Sequence, residues 1–126
     1  MSQIFLIVAA ILGGTGVMLG AFASHGLKSK LSESLLSAFE TGVTYQFYHA
    51  LALFVLALWL KQSQSVWFVV SGYLWLAGVV LFSGSLYALA LTGVKWFGPI
   101  TPIGGVLFIA GWVSLLVGAI KLGAGS

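Results

Sequence analysis

Residues 66–91 read VWFVVSGYLWLAGVVLFSGSLYALAL, a run without a single Lys, Arg, Asp or Glu. A helix needs about 20 mainly apolar residues to cross the hydrocarbon of a bilayer, and this run exceeds that length. An ionised side chain at the centre of a membrane costs at least ~2.5 kcal/mol on insertion scales. An uncharged run of this length therefore predicts a membrane-spanning helix.

Three more runs of this kind precede and follow it, at residues 4–23, 43–60 and 103–120. The chain is 60% hydrophobic and 6% charged, whereas an ordinary soluble domain has about 25% charged residues. We therefore predict an all-α membrane protein, with four transmembrane helices in a compact bundle that forms a single domain over residues 1–126. We expect the first run to be retained, because MSQIF at its start lacks the basic residues of a signal peptide.

Small residues recur along one face of three spans, every three or four residues in the first span and every seven in the third and fourth. Such a stripe lets another helix backbone approach closely, and a repeat of seven keeps one seam facing a partner helix. The predicted packing positions are Gly13, Gly16, Gly20, Gly78, Gly104, Gly111 and Gly118.

The longest connector is SHGLKSKLSESLLSAFETG, residues 24–42. Gly26 is predicted to end the first helix in a left-handed conformation, and Ser32 is predicted to cap the start of the next. Apolar residues recur every four positions from 31 to 43, a pattern that predicts a short amphipathic helix at the membrane surface. Gly42 is the expected bend into the second span. After the third span, Pro102 is predicted to lie in the first turn of the fourth.

Polar side chains within the spans gather towards the side of the membrane that holds this connector. The first span ends there, the second begins there, and residues three or four apart on the second span share one face. Because polar groups in hydrocarbon need partners, we expect this face to point into the bundle. The candidate polar pocket is formed by His25, Tyr45, Gln46, His49 and Tyr87.

Two interpretations of this pocket remain open at the level of the sequence. In the first, the imidazoles of His25 and His49 relay protons, bind a metal or hold a haem. In the second, His49 and Gln46 form a satisfied interhelical hydrogen-bond pair, and His25 lies among the lipid headgroups. The second interpretation is favoured, since interhelical hydrogen bonds are common and contribute ~0.6–2 kcal/mol.

Composition argues against several classes of function. The chain has no Asp for a Ser-His-Asp arrangement and no Cys for thiolate chemistry. Its two histidines are fewer than the three or four ligands of a zinc site, and its few lysines form no basic face for nucleic acid. We predict no enzyme activity, no metal site, no cofactor and no nucleic-acid partner; a haem- or metal-dependent membrane enzyme is the remaining exception.

Two motifs, LGAFASHGLK at residues 19–28 and FETGVTYQFYHALAL at residues 39–53, are followed by GPITPIGG at residues 98–105. Together they resemble the signature of the small bacterial inner-membrane protein family typified by YgdD and YwdK, a domain of unknown function. This resemblance covers essentially the whole chain. It implies a multi-pass protein of the bacterial inner (cytoplasmic) membrane, and it carries over no catalytic or ligand-binding residue.

The functional hypothesis is a non-enzymatic helix bundle that acts as an accessory or interaction subunit, or as a homo-oligomer. Its expected partners are the lipid bilayer and either another membrane protein or further copies of the chain. The alternative hypothesis is a protein that binds or conducts a small molecule, a lipid or protons through the polar pocket near one membrane face.

Overall fold

The computed structural model describes residues 1–123 and confirms an all-α bundle of four long helices. The helices are α1, Ser2–Phe22; α2, Glu33–Trp59; α3, Val66–Thr92; and α4, Thr101–Gly123. A π-helical turn, Ala23–Leu27, extends α1, and a short 3-10 helix, Lys95–Ile100, precedes α4. Each of the four helical segments is long and apolar enough to cross a membrane.

Some of the predicted helix ends are confirmed by the structure, and one is wrong. The Ser32 hydroxyl accepts a hydrogen bond from the Leu35 amide at 3.3 Å, which confirms Ser32 as the cap of α2. Pro102 lies in the first turn of α4, as predicted. The left-handed cap at Gly26 is wrong: within residues 1–123 the one glycine with positive φ is Gly93, which ends α3 at φ 71°.

The predicted interfacial helix between the first two spans is also wrong. α2 runs without a break from Glu33 to Trp59, and Gly42 lies inside it. Gly42 does not break the helix and instead permits a close contact: a Cβ at this position would lie 2.8 Å from Cε1 of Tyr87. A helix of 27 residues is ~40 Å long, so its first turns extend beyond the ~30 Å hydrocarbon and keep Glu33 near the surface.

The four helices pack in chain order, with α1 on α2, α2 on α3 and α3 on α4. The start of α1 also reaches α3, where the ring of Phe5 meets that of Tyr73 edge to face at 5.2 Å. No extended backbone packing joins α2 to α4 within the described chain; aromatic side chains connect them instead. The core of this arrangement lies between α2 and α3, where Leu53 and Trp75 are fully buried.

The α3 and α4 interface pairs small residues with large ones at intervals of seven. A Cβ at Gly104 would lie 2.7 Å from Cα of Phe82, and one at Gly118 would lie 2.6 Å from Cε1 of Phe68. Between them, a Cβ at Gly111 would meet the indole of Trp75. At Gly78 the arrangement is reversed, because here the glycine belongs to α3 and the large residue, Phe108, belongs to α4. The close approach of these helices therefore depends on the absence of a side chain at the glycines.

The predicted packing glycines of α1 face α2 rather than the lipid. Gly16 is buried, and an added Cβ there would lie 3.4 Å from the ring of Phe47. Gly20 has the same spacing to Val43, while Gly13 is further away, with 4.0 Å between its added Cβ and Ala50. The stripe that the sequence displays on the first span is thus covered within the chain.

Candidate functional site

The polar groups inside the bundle are organised around α2. Gln46 and His49 are each 4% exposed, although both carry polar side chains and lie deep within a helix of apolar neighbours. They are three residues apart and therefore share one face of the helix. We call these two side chains, together with their hydrogen-bond partners Thr15, Tyr87 and Trp112, the polar layer.

Gln46 connects three helices. Its Nε2 donates to the carbonyl oxygen of Leu12 and to Oγ1 of Thr15, both at 2.9 Å, and both acceptors belong to α1. Its Oε1 accepts a hydrogen bond from the hydroxyl of Tyr87 on α3, at 2.6 Å. Because a backbone carbonyl can only accept, the contact with Leu12 fixes the orientation of the amide. Both amide hydrogens and the carbonyl oxygen of Gln46 are therefore satisfied.

His49 connects α2 to α4, and its contacts determine its tautomer. Nδ1 lies 2.8 Å from the carbonyl oxygen of Tyr45, which can only accept, so Nδ1 carries a hydrogen. The indole N–H of Trp112 can only donate, and it lies 3.1 Å from Nε2, so Nε2 carries a lone pair. The imidazole is neutral in this arrangement, and both of its nitrogens are in use.

Aromatic rings enclose the imidazole. The Phe108 ring is stacked on it with centroids 3.8 Å apart and planes at 8°, and Trp75 and Trp112 each lie at 6.0 Å. A metal or haem iron would need the Nε2 lone pair, which already accepts from Trp112. Within residues 1–123 no group of three or more His, Asp or Glu side chains could hold a metal ion. The geometry is that of a packed interhelical contact.

The five residues of the predicted pocket do not form one cluster. Gln46 and Tyr87 are hydrogen-bonded to each other, and His49 bonds the backbone of Tyr45, whose own ring is 40% exposed and packs on Phe82. His25 lies apart from them. It is exposed in the turn after α1, and its ring makes no hydrogen bond with any residue from 1 to 123.

The sequence did not identify three residues that contact Gln46 or His49: Thr15, Phe108 and Trp112. Thr15 is the single hydroxyl-bearing residue between Ile4 and Ala23, which was a usable signal because a hydroxyl in hydrocarbon needs a partner. Phe108 and Trp112 offered no comparable signal, since aromatic residues occur both as lipid contacts and as core residues of a bundle. Their positions depend on how α4 is rotated against α3.

One buried hydrogen-bond donor has no acceptor within the described residues. Within the described residues, the indole N–H of Trp75 has no hydrogen-bond partner, although Trp75 is 1% exposed. The other buried polar side chains are all bonded; they are Gln46, His49, Ser71, Ser83, Ser85 and Ser114.

Comparison with known proteins identifies relatives along nearly the whole chain. The family model described as "Protein of unknown function (DUF423)" matches residues 19–105. The UPF0382 membrane protein YwdK of Bacillus subtilis is 45% identical over 120 residues, which cover 94% of this chain and 98% of YwdK. The UPF0382 inner membrane protein YgdD of Escherichia coli is 45% identical over 121 residues, covering 96% of this chain and 92% of YgdD.

A UPF0382 membrane protein of Staphylococcus epidermidis is 46% identical over 119 residues, which cover 94% of this chain and 97% of that relative. No solved structure matches the chain. Taken with the four apolar helices, these relatives place the chain in the inner membrane as a multi-pass protein.

Proposed function

The chain belongs to the DUF423 family of proteins of unknown function, and we propose that it acts in the membrane by association rather than by catalysis. In this proposal it is a non-enzymatic helix bundle that serves as an accessory subunit of a larger membrane assembly or as a homo-oligomer. Two features of the bundle support the proposal: the use of its internal polar groups and the exposure of α1.

Apart from the indole N–H of Trp75, the buried polar side chains of the described residues are occupied by structural contacts. Gln46 bonds groups of α1 and α3, and His49 bonds the Tyr45 carbonyl of its own helix and the Trp112 indole of α4. The buried serines bond backbone carbonyls within the chain or, for Ser85, also Thr101. A reaction centre needs a polar group that is free to contact a substrate. The polar layer offers none, which favours a structural use of these residues.

The observation that carries the proposal is the open face of α1. The first span is the least enclosed of the four, with 17% of its most apolar stretch buried, compared with 28% to 39% for the others. Ile7, Ile11, Gly14 and Met18 lie on one face of α1 and are all exposed. A Cβ at Gly14 would have no other atom within 4 Å, so the backbone of a further helix can approach there closely.

Cysteine cross-linking in native membranes tests this proposal, because the chain has no cysteine of its own. Gly14→Cys places one thiol on the open face of α1, and Ile109→Cys places a control thiol on α4, where the side chain is 65% exposed. We expect the Gly14 variant to form a cross-linked product of defined mass and the Ile109 variant to remain uncross-linked. Absence of product from both variants, or equal random products from both, would contradict association through α1.

A further inference from the structure

The connection between α3 and α4, residues 93–100, presents apolar side chains on its surface. Trp96 is 70% exposed and Val94 is 47% exposed, and the rings of Trp96 and Phe97 meet edge to face at 5.4 Å. All residues of the 3-10 helix Lys95–Ile100 are at least partly exposed. We call residues 93–100 the α3–α4 segment. Exposed apolar surface of this kind marks a contact with a membrane or with another protein.

The α3–α4 segment folds back beside the end of α3. Gly93 ends α3 in the left-handed conformation, which turns the chain away from the helix axis. At the far end of the segment, the hydroxyls of Ser85 and Thr101 are hydrogen-bonded at 2.5 Å, so α4 begins close to the level of Ser85. From Ser85, α3 continues to Thr92, a rise of ~10 Å. The segment therefore lies alongside the last ~10 Å of α3.

This part of α3 reaches the headgroups of the bilayer. α3 begins at Val66, just after the turn that holds Lys61. The hydrocarbon is about 30 Å thick, which corresponds to about 20 residues of helix. Counted from Val66, it ends close to Leu86, next to the level at which α4 begins. Because the headgroups add roughly 5–8 Å on each side of the hydrocarbon, the α3–α4 segment lies at their depth.

The α3–α4 segment lies on a flank of the bundle that faces lipid. It packs on α3 and α4, and Phe97 and Ile100 line an open cavity of about 180 Å³ together with Val80 and Gly84 of α3. Val80 is 62% exposed, and it lies ~21 Å along α3 from Val66, which is within the hydrocarbon. This face of α3 therefore contacts acyl chains, and the segment continues the same surface towards the headgroups.

The residues of the segment suit the headgroup layer better than the layers on either side of it. A short 3-10 helix leaves backbone groups at its ends without intrahelical partners, and hydrocarbon cannot satisfy them. The exposed ammonium of Lys95 would also be costly in hydrocarbon. In bulk water, the exposed ring of Trp96 would be the unfavourable group. Among headgroups, an indole places its apolar body against acyl chains while its N–H finds water or a lipid oxygen.

We propose that the α3–α4 segment is an interfacial anchor that binds the headgroup layer of the bilayer. The ring of Trp96 lies at the boundary between headgroups and acyl chains, and the ammonium of Lys95 lies among the phosphates. This contact fixes the depth at which α4 enters the membrane. The anchor is formed by residues between α3 and α4, and the open face of α1 takes no part in it, so its test is independent of the proposed association.

Spin labels at single cysteines test the proposal, because the chain has no cysteine of its own. Trp96→Cys places a label on the segment, Val80→Cys places one on the same flank within the hydrocarbon, and Lys30→Cys places one in the exposed turn before α2. The full chain is reconstituted in phosphatidylcholine vesicles, and electron paramagnetic resonance compares collisions of each label with oxygen and with a water-soluble nickel chelate. We expect both reagents to reach the label at residue 96, at a depth about 10 Å shallower than the label at residue 80.

Two results with these labels would overturn the proposal. A label at residue 96 that meets the nickel chelate as often as the label at residue 30 would place the segment in water. A label at residue 96 that neither reagent reaches would show that a protein covers the segment.

A second measurement keeps an aromatic ring at residue 96 and needs no label. Quenching of tryptophan fluorescence is compared between the unaltered chain and Trp96→Phe, with lipids brominated either near the headgroup or near the end of the acyl chain. We expect the substitution to reduce quenching by the first lipid more than quenching by the second, because the ring that it removes lies at the headgroups. Equal reductions with both lipids would contradict the anchor, even if Trp96→Cys failed to fold.

Discussion

Replacement of Gln46 by methionine should destabilise the bundle by about 2 kcal/mol. Gln46 makes three interhelical hydrogen bonds, two to α1 and one to α3, and such bonds in membrane proteins average ~0.6 kcal/mol each. Methionine keeps most of the volume of the side chain, so the loss reports hydrogen bonding rather than a cavity. The free energy of unfolding is measured on the protein in mild detergent. Sodium dodecyl sulfate is added in steps, and the loss of helix is followed by circular dichroism.

A double-mutant cycle with Tyr87→Phe isolates one of these bonds. Tyr87→Phe removes the hydroxyl that donates to Oε1 of Gln46, so the two substitutions together should cost less than their sum by about 0.6 kcal/mol. Gln62→Met, at an exposed residue of the α2–α3 turn, is the control and should change stability by less than ~0.5 kcal/mol. If Gln46→Met had no larger effect than this control, or if the cycle were additive, the account of the polar layer would be refuted.

Three further predictions concern other residues of the bundle. His49→Phe should lower stability by about 1 kcal/mol, because it removes the acceptor of the Trp112 indole, and a thermal unfolding curve that does not shift would argue against this contact. His25→Ala should leave the unfolding curve within ~0.5 kcal/mol of the original, because its ring is exposed; a larger loss would indicate a contact that the structure lacks. Gly104→Leu should prevent α4 from packing on α3, whereas Gly105→Leu, whose added Cβ would lie 3.9 Å from Phe82, should be tolerated; comparison of folded yields distinguishes the two.

The membrane spans were predictable because one free-energy cost, that of burying a charge in hydrocarbon, dominates their composition. Charged residues are too costly in hydrocarbon to be ambiguous, so uncharged runs indicate helices that cross the membrane. The start of α2 was not predictable in the same way. Gly42 reads as a bend because glycine disfavours helix by about 1 kcal/mol relative to alanine, but its contact with Tyr87 depends on α3. Local sequence carries no information about that neighbour.

The sequence predicted how deep in the membrane the residues of the candidate site lie. It did not predict how each helix is rotated about its axis. Burial of Gln46 and His49 follows from their place on a spanning helix, because a polar side chain in hydrocarbon must find a partner. The identity of the partners depends on how each helix is turned about its axis, and tertiary packing decides that. This is why His25 and His49 were grouped by depth although the structure gives them no common contact.

The seven-residue pattern of glycines also shows that one sequence does not identify which helices pack together. The spacing of Gly104, Gly111 and Gly118 predicts a seam, and the structure places α3 along it. The large residues that fill the seam, Phe68 and Trp75 among them, repeat at the same interval. One sequence shows that both patterns exist, but it does not show that they belong to the same pair of helices rather than to an interface between two chains.

The mass of the particle extracted from native membranes in a mild detergent tests the central claim most directly. The proposed association predicts a mass well above the 13.2 kDa of one chain after correction for detergent, with either further copies of the chain or a second membrane protein in stoichiometric amount. A uniform particle that contains one chain and no partner would contradict the claim.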